Sequence, residues 1–197
     1  MPFFDQITPE LIYTSVAYLS PAAFTIGLIA GWKNINSRCF IGLLFMLELI
    51  DTLLIDIVWE WSYNYYVWVF LYGTLYIYVI IFRRVIAKTL SPFSNFFRGV
   101  YNNYHFTKYE GLLLLVYSIC LTASFIALVE MKLYEYSIIK SWAFTKYALG
   151  CVLIPATIIE GVLILKVALK KPVVSMNNVS IVSEINKRNN ITQSKDK

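Results

Sequence analysis

Four carboxylic acids lie within one of the most apolar stretches of the sequence, LLFMLELIDTLLIDIVWEW at residues 43–61. They are Glu48, Asp51, Asp56 and Glu60, and the stretch contains no Lys or Arg that would neutralise them. An acid in a hydrocarbon environment is energetically costly, so its presence there marks a candidate functional site. The chemistry open to these side chains is hydrogen bonding between helices, binding of a cation, or transfer of a proton.

A helix would place these acids on about half of its circumference, because successive residues are ~100° apart. The opposite half is made of apolar residues. This pattern predicts one helix face that tolerates lipid and one face that another protein surface shelters. Glu160, in the last apolar run of the chain, is expected at a depth similar to that of Glu48. We therefore take Glu48, Asp51, Asp56 and Glu160 as candidates for an intramembrane polar site, an oligomer contact or an ion route.

The acids need partners other than basic residues, because the centres of the apolar runs contain no Lys or Arg. Candidate partners within the chain are hydroxyl groups on the third apolar run, namely Tyr72, Thr74, Tyr76 and Tyr78. Three roles stay open. The acids can be protonated and hydrogen-bond between helices or subunits. They can also line a route for cations or protons, or form a pH- or voltage-sensitive switch that is coupled to a partner.

The composition is that of a membrane protein. Of the 197 residues, 58% are hydrophobic and 15% are charged, whereas soluble domains are about 45–50% apolar and about 25% charged. Five apolar runs are long enough to cross a hydrocarbon core of about 30 Å; they cover residues 11–32, 39–59, 65–82, 111–129 and 147–165. We predict an all-α integral membrane protein with a bundle of five transmembrane helices, or four if one run is interfacial or buried.

Basic residues are distributed unevenly among the connections. Segments 33–38, 83–108 and 166–197 carry 14 of the 17 Lys and Arg residues, whereas residues 1–10 and 60–64 carry none. Because cytoplasmic connections are enriched in Lys and Arg, five spans predict an N-terminus outside the cell and a cytoplasmic C-terminus. Four spans would place both ends on the same side.

The chain divides into a transmembrane bundle at residues 1–171 and a polar tail at residues 172–197. Within the bundle, loop 83–110 mixes basic and aromatic residues, which suits binding of anionic lipid or of a protein partner. Single-stranded nucleic acid is the alternative for such a composition, and we do not expect it because membrane spans flank the loop on both sides. The basic residues of this candidate site are Arg83, Arg84, Lys88, Arg98 and Lys108. Ser94 is a candidate N-cap of a short amphipathic helix in the loop.

The tail, which reads VVSMNNVSIVSEINKRNNITQSKDK after Pro172, has too little apolar mass to fold alone. Its apolar residues could nevertheless dock on a partner as a short helix or an added strand. The candidate docking residues are Val174, Met176, Ile181 and Ile185. A solvated tail without a role is the alternative.

No motif for catalysis, nucleotide binding or metal binding is present. The sequence has no GxxxxGK[ST], GxGxxG, GxSxG or HExxH pattern. Cys39, Cys120 and Cys151 are isolated from one another, and His105 is the single histidine. We therefore predict no metal and no cofactor. No segment outside the membrane is large enough for a catalytic domain, so we predict a non-enzymatic protein; an intramembrane enzyme is the remaining enzymatic alternative.

The layout resembles that of a known bacterial family. The sequence is rich in Asn, Lys, Ile and Tyr, as expected of an AT-rich gene. The chain resembles the membrane subunit of Kiwa-type anti-phage defence systems. The resemblance lies in its size, its closely spaced spans, its basic cytoplasmic loops and its short tail. The resemblance carries no specific residues. It implies a homo-oligomeric inner-membrane sensor that responds to phage-induced disturbance of the envelope and docks a separate cytoplasmic effector.

Our leading hypothesis is accordingly a non-enzymatic sensor or scaffold subunit of the bacterial inner membrane. Its expected partners are the lipid bilayer, further copies of the chain, and a cytoplasmic effector protein at loop 83–110 and the tail. The alternative is a small oligomeric channel or transporter for cations or protons, gated by the intramembrane acids.

Overall fold

The computed structural model describes residues 9–61 and 64–169, and within these residues the chain is helical without any strand. The helices are α1 (Pro9–Ala30), α2 (Ile35–Trp59), α3 (Tyr65–Leu90), α4 (Asn95–Asn102), α5 (Lys108–Glu135) and α6 (Leu149–Leu169). A π-helical turn, Phe144–Ala148, leads directly into α6. The four candidate docking residues of the tail, Val174, Met176, Ile181 and Ile185, lie outside the described residues.

The five long helices form a closed ring in which neighbours along the chain are antiparallel and the closing pair, α1 and α6, is parallel. Contacts follow the order α1, α2, α3, α5, α6 and back to α1, and α2 also touches α6 inside the ring. The short α4 packs on the ends of α2 and α3. Short connections, such as the turn between α1 and α2, enforce the antiparallel arrangement.

Polar side chains begin several helices in the manner that the local sequence predicts. Asn34 accepts hydrogen bonds from backbone amides at the start of α2. Ser94 accepts one from the Phe96 amide at 3.3 Å, so the predicted N-cap of a short helix is confirmed. Thr107 and Glu110 form a reciprocal capping box at the start of α5. These caps satisfy amides that would otherwise lack partners at helix N-termini.

Apolar side chains fill the centre of the ring and also cover its outside. The centre is built of the buried residues Phe24, Phe40, Ile41, Leu44, Ile80, Leu113 and Ile164, among others. On the outside, Leu53 is 77% exposed and Leu115 is 56% exposed. An apolar exterior of this extent belongs in contact with lipid rather than with water.

Three helical segments are long and apolar enough to cross a membrane: Tyr65–Leu90, Lys108–Glu135 and Phe144–Leu169. They contain the third, fourth and fifth predicted spans. Helix α2 carries too many charged residues to meet the same composition, and α1 contributes the shorter apolar segment Leu19–Ala30. The predicted first and second spans are thus helical, and their crossing of the membrane stays a prediction.

The close approach of α1 and α6 depends on small residues. A side chain at Gly27 would meet Ile164, and one at Gly31 would lie 3.3 Å from the Ala168 Cα atom. The GxxxG spacing of Gly27 and Gly31 in α1 therefore serves packing within the chain.

Glu130, near the end of α5, holds the start of the last helical segment. Its carboxylate accepts hydrogen bonds from the Phe144 amide at 2.9 Å and from the Thr145 amide and hydroxyl, both at 2.7 Å. A carboxylate from a neighbouring helix thus replaces a local N-cap. At the same end, Lys132 donates to Asn64 at 2.7 Å and joins α5 to the start of α3.

Candidate functional site

Glu48 lies at the interface of α2 with α3, where Tyr76 is its partner. The buried Tyr76 donates a hydrogen bond from its hydroxyl to the Glu48 Oε2 atom at 2.6 Å. Tyr76 is one of the four hydroxyl partners that the sequence proposed. A neutral donor therefore takes the place that Lys or Arg would hold in a soluble protein.

Asp51 faces the same helix one turn further along α2. Its Oδ1 atom accepts a hydrogen bond from the Trp68 indole nitrogen at 2.9 Å. Trp68 stacks on Tyr72 with 5.0 Å between ring centroids, and the Tyr72 hydroxyl donates to the Leu47 carbonyl oxygen at 2.6 Å. The α2–α3 interface is thus lined by aromatic donors that point at α2.

Glu160 in α6 receives a hydrogen bond from the Tyr117 hydroxyl of α5 at 2.5 Å. The rings of Tyr117 and Tyr76 lie 5.2 Å apart. Glu48, Tyr76, Tyr117 and Glu160 therefore form two hydrogen-bonded pairs that meet through the tyrosine rings, and we call this set the carboxyl–tyrosine row. It links α2, α3, α5 and α6, so the structure brings Glu48 and Glu160 into one cluster, with two tyrosines between them.

Asp56 is not part of this cluster. It is exposed on the outer face of α2, as is Glu60 at the helix end, and neither makes a hydrogen bond or ion pair with any residue that the structure describes. Within one chain, the sheltered face of α2 therefore holds Glu48 and Asp51, and shelter of Asp56 by another protein surface stays a prediction. Asp51 lies within ~60° of Glu48 around the helix, whereas Asp56 is turned ~80° to the other side. The contact with α3 covers only Glu48 and Asp51.

The remaining hydroxyl groups proposed as partners have other roles. Thr74 donates to the Phe70 carbonyl of its own helix, and Tyr78 points outward and stacks on Phe82 at 4.6 Å. Tyr117 and Trp68 were missed from the sequence. Tyr117 carried a usable signal, because it is a polar aromatic residue within the apolar run LLLLVYSICL. A buried tyrosine hydroxyl generally requires a hydrogen-bond partner.

Arg83 is not an exposed residue of loop 83–110, and its assignment to a lipid- or partner-binding surface is corrected. It lies within α3 and forms a bidentate ion pair with Glu110, with both N–O distances at 3.1 Å. Each residue is 1% exposed. The guanidinium also donates to the His105 carbonyl at 3.3 Å and lies over the ring of Phe40.

This ion pair belongs to a wider polar junction at one end of the ring. The Asn36 side chain of α2 donates to the same His105 carbonyl at 3.0 Å. The Ser37 hydroxyl donates to the Val167 carbonyl of α6 at 3.1 Å. Four long helices are thereby connected through the chain segment between α4 and α5.

The other basic residues of the candidate loop site are exposed at this same end. They are Arg84, Lys88, Arg98 and Lys108. Lys33, Lys166 and the half-buried Arg38 add to the charge. Within residues 31–40, 83–110 and 161–169, the sequence has a single acid, Glu110, and the ion pair with Arg83 occupies it. This end of the bundle is therefore strongly basic.

No metal site is apparent in the described part of the chain. Among residues 9–61 and 64–169, no three His, Cys, Asp or Glu side chains group as a metal ion would require. The cysteines Cys39, Cys120 and Cys151 are all free.

The ion pair can be tested by replacing Arg83 and, as a control, its neighbour Arg84. Replacing Arg83 by Met leaves the Glu110 carboxylate buried without its cation, and we expect a loss of about 3–5 kcal/mol in the free energy of unfolding. The adjacent Arg84→Met changes an exposed side chain that lies over the rings of Tyr101 and Tyr104, and it is expected to cost about 1 kcal/mol or less. The measurement is unfolding of the purified protein in mild detergent. Adding Glu110→Gln to Arg83→Met should recover part of the loss; equal stability of the two single variants would contradict the assignment.

The carboxyl–tyrosine row can be tested by removing single tyrosine hydroxyl groups. Tyr117→Phe removes the donor to Glu160 and keeps the ring, so it should cost about 1–3 kcal/mol by leaving a buried polar group unsatisfied. Tyr78→Phe is the matched control, because its exposed hydroxyl makes no hydrogen bond with the described helices. Thermal unfolding in the same detergent compares the two; identical midpoints would argue against the row.

Comparison with known protein families, curated proteins and solved structures found no match for this chain.

Proposed function

We propose that the chain is a non-enzymatic sensor or scaffold subunit of the bacterial inner membrane, that it forms homo-oligomers, and that it docks a cytoplasmic effector when the envelope is disturbed, as in phage infection. One observation carries the proposal. The inward-facing acids Glu48, Asp51 and Glu160 each have a tyrosine or tryptophan donor on a neighbouring helix. Such an arrangement supports coupling between helices, and the strongly basic end supplies a surface for a partner.

The proposed layout has five membrane spans. Helices α1 and α2 complete the ring that the three most apolar segments begin. The basic end lies on the cytoplasmic side because Lys and Arg concentrate there. The end that holds Glu130 and Lys132 then faces the periplasm.

The carboxyl–tyrosine row provides the weakly held interface between helices that a sensor needs. Interhelical hydrogen bonds in membranes contribute on average only about 0.6 kcal/mol each. The energy of a small change in bilayer thickness or helix tilt is therefore comparable with the energy of one such hydrogen bond. Because the row spans α2, α3, α5 and α6, a shift between any two of these helices alters the contacts of the others.

The exposure of Asp56 supports the proposal that the chain forms an oligomer. The residue is exposed next to the 77% exposed Leu53 and the 55% exposed Ile57 on the outer face of α2. A second copy of the chain packed on this face would shelter the carboxyl group from lipid and supply a polar partner.

The docking hypothesis is tested by removing the basic surface and the tail together. A variant that lacks residues 173–197 and carries Lys88→Glu and Lys108→Glu should lose its cytoplasmic partner, because both the charge and the apolar tail residues are gone. The measurement is affinity purification from native membranes in mild detergent, with identification of co-purifying chains, followed by survival of the cells on phage infection.

The matched control carries Lys140→Glu and Lys146→Glu, which change exposed lysines at the opposite end. We expect this control to keep both the partner and the phenotype. The docking hypothesis fails if the variant without tail and loop charges retains every cytoplasmic interaction and protects cells as the unaltered protein does.

A second candidate function is conduction of cations or protons, and the proximity of two hydrogen-bonded carboxyl–tyrosine pairs favours it. Intramembrane acids that lie close together are typical of proton and cation pathways. If this function holds, the purified protein in liposomes passes current or protons, and Glu48→Gln or Asp51→Asn abolishes the flux. An unaltered protein that conducts nothing under an applied gradient would eliminate conduction and leave the sensor proposal standing.

A further inference from the structure

Helix α4 is held firmly against the basic end of the bundle. Val100 is fully buried and packs with Cys39 of α2 and Ala87 of α3. Gly99 allows the close approach, because a side chain there would come within 2.8 Å of Ile35. The amphipathic helix therefore presents a fixed outer surface.

Three arginines surround this helix, and we call them the basic collar: Arg38 of α2, Arg84 of α3 and Arg98 of α4. Arg38 lies over the rings of Trp32 and Phe96, at 5.0 and 4.6 Å from their centroids. Cation–π contacts hold a guanidinium in position and leave its edge free to donate hydrogen bonds.

Arg84 is placed in the same way, over the rings of Tyr101 and Tyr104 at 5.6 and 5.7 Å. Arg98 projects from the exposed face of α4. None of the three arginines pairs with a carboxylate in the described residues. Carboxylates of the described residues therefore leave the positive charge of the collar unneutralised.

The depth of the collar points to the class of anion. A hydrocarbon core of about 30 Å corresponds to about 20 helical residues, so a crossing by α3 that begins at Tyr65 ends near Arg84. The collar then lies at the level of the lipid headgroups. Phe93, at the turn before α4, is 85% exposed, and Trp32 is 58% exposed. Exposed aromatic side chains at this level are stabilised by the membrane interface rather than by water.

We propose that the basic collar binds the phosphate groups of anionic glycerophospholipids in the cytoplasmic leaflet. This inference rests on the membrane layout proposed above and requires no effector. Arginine donates two parallel hydrogen bonds to a phosphate group, and Phe93 and Trp32 lie among the acyl chains next to it. A soluble acidic protein would account for the arginines but would leave the exposed Phe93 without a reason to be apolar.

The experiment uses the purified full-length chain in a neutral detergent and native mass spectrometry. Phosphatidylglycerol and phosphatidylcholine with identical acyl chains are titrated separately, and the apparent affinity of the first bound lipid is measured. We expect preferential binding of phosphatidylglycerol. In Arg84→Gln/Arg98→Gln that preference should fall about 25-fold, since each Lys or Arg near an anionic surface contributes roughly a fivefold factor.

The matched control is Lys140→Gln/Lys146→Gln, which removes the same charge from the other end and should keep the preference. A third variant, Arg84→Lys/Arg98→Lys, preserves charge and folding but loses the bidentate geometry, and we expect it to be intermediate. Equal affinity for the two lipids in the unaltered protein, or equal loss in the glutamine variant and its control, would overturn the lipid site. Neither result would bear on effector docking, which is measured separately.

Discussion

The buried pair of Arg83 and Glu110 is the interaction on which the rest of this bundle depends. Removing two charges from solvent is unfavourable unless the geometry is bidentate and further polar groups satisfy what remains. The pair is bidentate, the carboxylate also closes the capping box at the start of α5, and the guanidinium also reaches the His105 carbonyl, so that only the Arg83 Nε atom is left without a partner among the described residues. The pair fixes the residue at which α5 begins and the axial position of α3 relative to α5.

The protein accommodates its buried acids in two different ways. Glu110, at the end of the bundle, is matched by a full positive charge. Glu48, Asp51 and Glu160, further inside, have only neutral donors from Tyr76, Trp68 and Tyr117. A full ion pair fixes a single arrangement, whereas neutral hydrogen bonds of small net energy permit rearrangement. The rigid contact therefore lies at the end, and the adaptable contacts lie in the middle.

Much of the helical layout follows from the sequence, because apolar runs, caps and the position of Ser94 are local properties. The need for a donor in a region without Lys or Arg placed Tyr76 among four candidate partners of the acids, and the structure pairs it with Glu48. The outward direction of Asp56 and the burial of Arg83 did not follow. The angle between two residues around one helix is fixed by its geometry, but which angle faces a neighbour is decided by the packing of all the helices. Adjacent residues such as Arg83 and Arg84 can therefore end in opposite environments.

The axial register of α3 against α5 determines both the ion pair at the end of the bundle and the tyrosine contact in its middle. Arg83 faces Glu110, and Tyr76, seven residues earlier, faces Tyr117, seven residues later. Seven residues are nearly two helical turns, so both contacts lie on the same stripe of each helix, about 10 Å apart. The antiparallel register that forms the ion pair is thus the one that aligns the two tyrosines. Any rotation of α3 that separates Tyr76 from Tyr117 therefore also strains the ion pair between Arg83 and Glu110.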